Sequence, residues 1–578
     1  MLIGFNNITL RVQTEYFMSS LHYVDYIVFF IYFIIVSSYG FWVYYSKKSA
    51  TTGSQDYFLA EGSLTWWAIG ASLIASNISA EQMIGMSGSG FKLGLAISAY
   101  EWMASATLIV VAIFFMPVYL KNKISTMPQF LSQRYNDRVA MIMAVFWLML
   151  YIIVNLMSIL YLGALAISGI SGLNIVFCIL ALAVFAIFIT LGGMKVIGYT
   201  DVIQVFFLIL GGLVATYLAL NIISGGAGIL KGFAVLKDGA SEHFHLIFKK
   251  DNENYMDLPG LSVLIGGMWI ANLSYWGCNQ YITQRALGAS LPVARGGLLF
   301  AAFLKMLMPV IVVIPGIAVY YIVKENLGSI NGASLLTSSG AQDPNKAYPA
   351  LLGLLPIGLK GLSFAALTAA IVASLAGKAN SIATIFTLDI YKKAFNPQAS
   401  EKSLVNVGKI CVVVAMILAV VLSMIIGDAL MGEGKQGFQY IQEYTGFVSP
   451  GIFAMFILGF FWKKATSSAA MFATIGGFIF SVILKFLPGW TDLSFLHSIG
   501  WSVANSSGVF EIPFMDRMLI VFALCVSGMY IISIVEHKRG VVTKGLEIDA
   551  KMFKVSNSFA IGSLIIFALI VALYTAFW

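Results

Sequence analysis

The stretch Ser72–Gly90, SLIASNISAEQMIGMSGSG, decides how this chain is to be read. It lies in a long apolar segment, yet Asn77, Ser79, Glu81 and Gln82 fall in its middle and four small residues close it. Lipid offers no hydrogen-bond partner, so a helix interrupted by such residues must turn them toward protein, an ion or a water-filled cavity. A second stretch of the same kind, IANLSYWGCNQ at 270–280, carries Asn272, Ser274 and Gly277 at similar depth. Close packing of small residues between ordinary helices is the plainer alternative. It accounts for the glycines but not for Glu81, Gln82 and Asn272 together.

Composition supports a membrane setting. Of 578 residues, 59% are hydrophobic and 10% charged, against roughly 25% charged in soluble domains. About fourteen apolar segments are each long enough to span a bilayer: 24–45, 66–90, 94–118, 139–168, 173–192, 200–223, 261–283, 297–322, 361–388, 405–427, 438–462, 468–486, 516–535 and 556–577, numbered here as spans 1 to 14. The expected fold class is an all-α integral membrane protein. The formal charge of +8 does not point to nucleic acid, because the basic residues sit in short clusters between spans. Most of them fall in the connections after odd-numbered spans, which places those connections in the cytoplasm and both termini outside. Residues 1–23 then form an external segment, and 24–45 reads as a retained helix because no small-residue cleavage site precedes Lys47 and Lys48. The four cysteines all lie in apolar segments and read as small hydrophobes.

Spans 2 and 7 are five apart. Corresponding interruptions in two halves are the mark of a transporter built from inverted repeats, with its binding site between them. Glu101 lies about two turns into span 3, and a carboxylate at that depth costs around 3 kcal/mol unless a partner or cavity receives it. Gln442 occupies span 11. Gln82, Glu101, Asn272 and Gln442 together provide donors and acceptors without a fixed cation among the four. That set suits a neutral polyhydroxylated ligand, in which every hydroxyl both gives and takes. The five histidines lie outside the central spans and none is paired with a nucleophile by motif, so an enzyme is not expected.

The segments DYFLAEGSLTWWAIGASLIASNISAEQMIGMSGSG, TMPQFLSQRY, YTDVIQVFFLILGG, VLIGGMWIANLSYWGCNQYITQR, ATIFTLDIYKK and FQYIQEYTGFVSPGI resemble the sodium/solute symporter family, in particular its bacterial sodium/galactose (sodium/glucose-type) branch. The resemblance runs over nearly the whole chain. It implies a LeuT-like fold of two inverted five-helix repeats, 66–223 and 261–462, separated by an external loop at 224–260. One helix is added before them and three after, at 468–578. It also implies sodium-coupled uptake of a neutral hexose by alternating access across the plasma (inner) membrane. Carried over by motif, Gln82, Glu101, Asn272, Gln442 and Tyr275 bind the sugar, with Arg295 the nearest match to a family lysine. Met86, Tyr100 and Phe438 match an outer lid, and Tyr275 an inner gate. The sodium ligands match Ala75, Ile78, Ala370, Ala373 and Ser374, with Asp201 on the exit route.

Two departures stand out. Ala104 replaces a serine one turn after Glu101, with Ser105 beside it. The family's serine pair reads Ala373-Ser374, and Lys378 follows one turn later on the same face. Lys378 has three readings: a snorkelling side chain without a role, a partner of Asp201, or a charge standing in for the ion. The competing functions are therefore a symporter of another small solute, or a sugar transporter or sensor whose coupling is weak, sodium-independent or proton-linked. The sequence leaves the oligomeric state open.

Overall fold

The computed structural model describes residues 21–46, 64–79, 81–328, 330–337, 339–432, 437–505 and 507–578. The predicted external segment 1–23 and the Lys47-Lys48 cluster lie almost wholly outside them. Each of the fourteen apolar segments is mainly helical where described. The one small sheet among the described residues pairs Val503–Ala504 with Phe510–Glu511. Ten helical runs are long and apolar enough to cross a bilayer, and the bent pair Gly437–Thr445 and Ser449–Phe461 makes an eleventh. The shortfall from fourteen has a physical cause. Span 5 is the short helix Ile175–Thr190, span 7 is divided into Leu261–Ile265, Gly267–Cys278 and Gln280–Leu287, and the second half of span 2 runs on helically into span 3, which ends at Lys121.

Burial separates the layers. Span 9, Leu359–Thr384 continued by Ile385–Phe395, is 89% buried over its apolar window, whereas the windows of spans 1 and 14 are each 22% buried. The central helix presents small residues such as Ala369, Ala370, Ala373 and Ala376 to its neighbours, which lets backbones approach closely. The outer helices instead show Phe, Ile, Leu and Trp to lipid. Span 2 packs against span 8 (Leu291–Lys324) through two glycines. A Cβ at Gly316 would stand 2.1 Å from the Ser87 carbonyl oxygen, and one at Gly90 would stand 2.7 Å from that of Val313.

The breaks fall at the positions that drew attention in the sequence. The first half of span 2, Trp66–Asn77, ends with Ile78 in extended backbone at φ −76°, ψ 93°. The chain resumes as a wide π turn, Glu81–Met86, before Ser87–Leu93. Local groups satisfy the interruption: the Ser79 carbonyl accepts from the Gln82 and Met83 amides at 3.1 and 3.0 Å, and the Ser79 hydroxyl accepts from the Glu81 amide at 3.2 Å. Span 7 breaks at Asn279, extended at φ −103°, ψ 122°. The freed Gly277 carbonyl receives the Tyr119 hydroxyl at 2.7 Å. Span 11 bends by 46° between its halves.

Candidate functional site

The three broken spans enclose one polar cavity with spans 3, 8 and 9. It is lined by Asn77, Glu81, Gln82, Tyr100, Glu101, Ala104, Asn272, Tyr275, Trp276, Asn279, Lys305, Lys378, Phe438 and Gln442, among others. All four of the polar residues predicted to bind substrate are there, as is Tyr275. Of the predicted lid, Tyr100 and Phe438 line the cavity and meet edge to face with centroids 5.2 Å apart. Met86 is buried beside them in the π turn but does not line it.

Glu101 is the centre of the arrangement. Gln82 donates its amide Nε2 to Glu101 Oε1 at 2.7 Å, and Lys305 donates Nζ to Oε2 at 2.5 Å. The ion pair is nearly sealed, with side-chain exposures of 1% for Lys305 and 2% for Glu101. The same ammonium donates to Asn77 Oδ1 and stands 5.3 Å from the Trp276 ring centroid, a cation–π contact. Such burial is tolerable only with this degree of pairing, since a charge left alone there is strongly destabilising.

Lys305 lines the cavity, and Arg295 does not. Arg295 does not approach the cavity: its guanidinium donates to the carbonyls of Ala112, Met552 and Lys554 at 3.0, 2.8 and 2.7 Å. It clamps the start of span 8 to span 3 and to the connection before span 14. Lys305 lies ten residues further along the same helix, about 15 Å toward the membrane centre. Ala104 lines the cavity where a serine was expected. Ser105 does not replace it, because its hydroxyl donates to the Ala302 and Glu101 carbonyls at 2.9 and 3.3 Å.

The cavity volume is about 80 Å³. Gln82 Oε1 is buried without a partner and is ready to accept.

Two of the predicted ion ligands, Ser374 and Ala75, meet at the break in span 2. The Ser374 hydroxyl lies 3.2 Å from the Ala75 carbonyl and 3.1 Å from that of Ser76, bringing span 9 against the unwinding end of span 2. Ile78, Ala370 and Ala373 are all buried, and Ala373 puts a methyl where a second hydroxyl was expected. Hard cations want several oxygens, and this junction offers fewer.

Lys378 takes neither a free position nor Asp201 as its partner. Its Nζ lies 3.8 Å from Glu81 Oε2, with side-chain exposures of 4% and 14%, and 5.1 Å from the Tyr281 ring centroid. Asp201 is held by Arg285 instead. The Ser72 hydroxyl donates to Asp201 Oδ2 at 2.6 Å, Arg285 Nη2 lies 3.9 Å from it, and Arg285 Nε donates to Ser72 at 2.9 Å. Sequence reasoning passed over Arg285 and Tyr281, and named Asn77 only as part of the break in span 2. A hydrogen-bonded thread joins the two regions: Tyr281 donates to the Ser76 carbonyl at 3.1 Å, shares a hydrogen bond with Tyr275, and Asn77 Nδ2 donates to Tyr275 at 3.1 Å.

Outside the cavity, Glu443 on the first half of span 11 is gripped by Lys485 of span 12 at 2.7 Å and by Arg517 of span 13. That anchors the short helix from which Phe438 and Gln442 project.

The profile described as "Sodium:solute symporter family" matches residues 57–477. A sodium/glucose cotransporter of Vibrio parahaemolyticus is 46% identical over 96% of this chain and 99% of its own. A human sodium/myo-inositol cotransporter 2 is 33% identical over 79% of this chain and 69% of its own. Among solved structures, a Na+-coupled sialic acid symporter in a substrate-bound, outward-open state superposes with a TM-score of 0.73 at 22% identity, covering 91% of this chain and all of that one. That likeness supports the LeuT-like arrangement.

Proposed function

We propose, given that this chain belongs to the sodium:solute symporter family, that it couples sodium entry to the uptake of a neutral hexose by alternating access. The observation that carries the reading is Glu101, held between Gln82 and Lys305 inside a cavity that Asn272, Gln442 and Tyr275 complete. A hexose hydroxyl can donate to Glu101 while accepting from Lys305 or Gln82, so the guest replaces the bonds it breaks. The apolar C–H face of the ring then lies against an aromatic of the cavity wall, with Tyr275 the inner gate and Tyr100 and Phe438 the outer lid.

In this reading residues 66–223 and 261–462 are the two inverted repeats, with Ala75, Ile78, Ala370 and Ser374 around the sodium and Asp201 beside its route inward. The protein is multi-pass in the plasma membrane with both termini external. No covalent chemistry is involved. Each sodium supplies roughly 2.3 kcal/mol per 100 mV and roughly 1.4 kcal/mol per tenfold gradient, so one sodium sustains a sugar gradient of several hundredfold.

The test is uptake of labelled hexoses into proteoliposomes under an inward sodium gradient, against choline and with competing sugars. Sodium-dependent accumulation above the external concentration is expected. Equal accumulation in sodium and choline overturns the coupling, and competition by organic anions but not hexoses overturns the sugar.

A further inference from the structure

Among the described residues, each carboxylate around the ion junction already has a cation. Glu81 faces Lys378 and Asp201 faces Arg285, while Glu101 and Lys305 cancel one another across the cavity. Tyr275 and Tyr281, the other ionisable groups packed there, are neutral phenols tied to each other. A sodium ion entering beside Ser374 therefore enters a junction whose charges are balanced, and it arrives as an excess. Its nearest competitor is tethered. Lys378 sits one helical turn from Ser374 on span 9, and it stands over the ring of Tyr281, whose hydroxyl occupies the same Ser76 carbonyl that Ser374 reaches.

Glu81 is the first residue of the π turn that restarts span 2 after its break. Its other oxygen accepts from Ser158 of span 4 at 2.5 Å. The Lys378–Glu81 pair thus bridges span 9 to the restarted half of span 2, as Ser374 bridges span 9 to the half that precedes the break. Bridging those elements with a positive charge is the task assigned to sodium in the reading above, on which this inference rests.

We infer that the Lys378 ammonium is a built-in cation that competes with sodium for the junction between spans 2 and 9. It holds the junction together when sodium is absent and lowers sodium affinity when sodium is present. The repulsion is not small. Two unit charges about 6 Å apart, in a medium of effective dielectric about 20, weaken binding on the order of a hundredfold before relaxation and screening. Removing the ammonium also leaves Glu81 as an uncompensated carboxylate that a sodium ion can neutralise.

The experiment measures the half-saturating sodium concentration for hexose uptake by the full chain in proteoliposomes, for wild type, Lys378→Met, Lys378→Gln and Lys378→Arg. The two neutral variants are expected to lower it at least fivefold, and Lys378→Arg, which keeps the charge, to stay within twofold of wild type. The sodium-induced rise in Tm of the detergent-solubilised protein is a second readout, independent of transport, and is expected to be larger in the neutral variants. If both neutral variants leave the sodium requirement and the Tm response unchanged or weaker, the inference is overturned and sodium symport stands. If wild type takes up sugar equally in sodium and choline while Lys378→Met acquires sodium dependence, the symport reading fails and the built-in cation stands. Absence of sodium dependence from every variant overturns both.

Discussion

The sugar-side cavity and the ion-side junction are neighbours on the same broken helix, yet they are built on opposite terms. Around Glu101 the polar groups outnumber the bonds they make with one another: both carboxylate oxygens are engaged while Gln82 keeps a free acceptor. Around Ser374 the backbone carbonyls of Ala75 and Ser76 are already met by a hydroxyl, one expected oxygen is a methyl, and a lysine stands one turn away. A binding site for a hydroxyl-rich molecule works by having spare bonds to offer. A site for a small cation works by lacking a positive charge, and this one has acquired it.

The sharpest way to break the comparison is at Lys305. Lys305→Met leaves Glu101 buried with no cation, a loss on the order of 3–5 kcal/mol. Sodium-driven hexose uptake is expected to fall at least a hundredfold, measured as initial rates normalised to protein in the membrane. Retention of more than a tenth of wild-type rate would show that the pair is not the centre of the cavity. Gln442→Ala removes one hydrogen-bonding arm, about 1 kcal/mol. The half-saturating sugar concentration is expected to rise about fivefold with little change at saturation, and an unchanged value removes Gln442 from the site. On the other side, Ala373→Ser restores an oxygen, and the half-saturating sodium is expected to fall two- to threefold with sugar affinity unaltered at saturating sodium. A rise would mean that the new hydroxyl points elsewhere. The smallest effect on transport is expected at Arg295→Met. Its guanidinium binds three carbonyls far from the cavity, so Tm should drop by several degrees while half-saturating sugar stays within twofold. A large change in sugar affinity alone would return Arg295 to the substrate site.

The membrane architecture was legible because hydropathy is a sum over many residues and survives local irregularity. The interruptions at Asn77–Gln82 and at Asn272–Gln280 were legible for the opposite reason, since a few polar residues at bilayer depth have few explanations. What escaped was pairing. Lys305, about three turns along from Arg295, reads as an isolated charge in an apolar helix until the fold brings Glu101 to it from 204 positions away. The partner of Asp201 escaped in the same way. Arg285 reads in sequence as the start of a cytoplasmic connection, but the fold buries it against Ser72 and Asp201. Position along a span can be counted from the chain, whereas the direction a side chain faces depends on the tilt and rotation that packing imposes.

The tyrosine thread from Ser76 through Tyr281 and Tyr275 to Asn77, and on to Lys305, imposes a symmetry on whatever passes along it. Free energy is a function of state, so if cation arrival at one end tightens the grip on sugar by some factor, sugar arrival at the other must tighten the grip on the cation by that same factor. Cutting the thread at Tyr281, which touches the expected ligands of both cargoes through Tyr275 and the Ser76 carbonyl, should diminish both numbers equally.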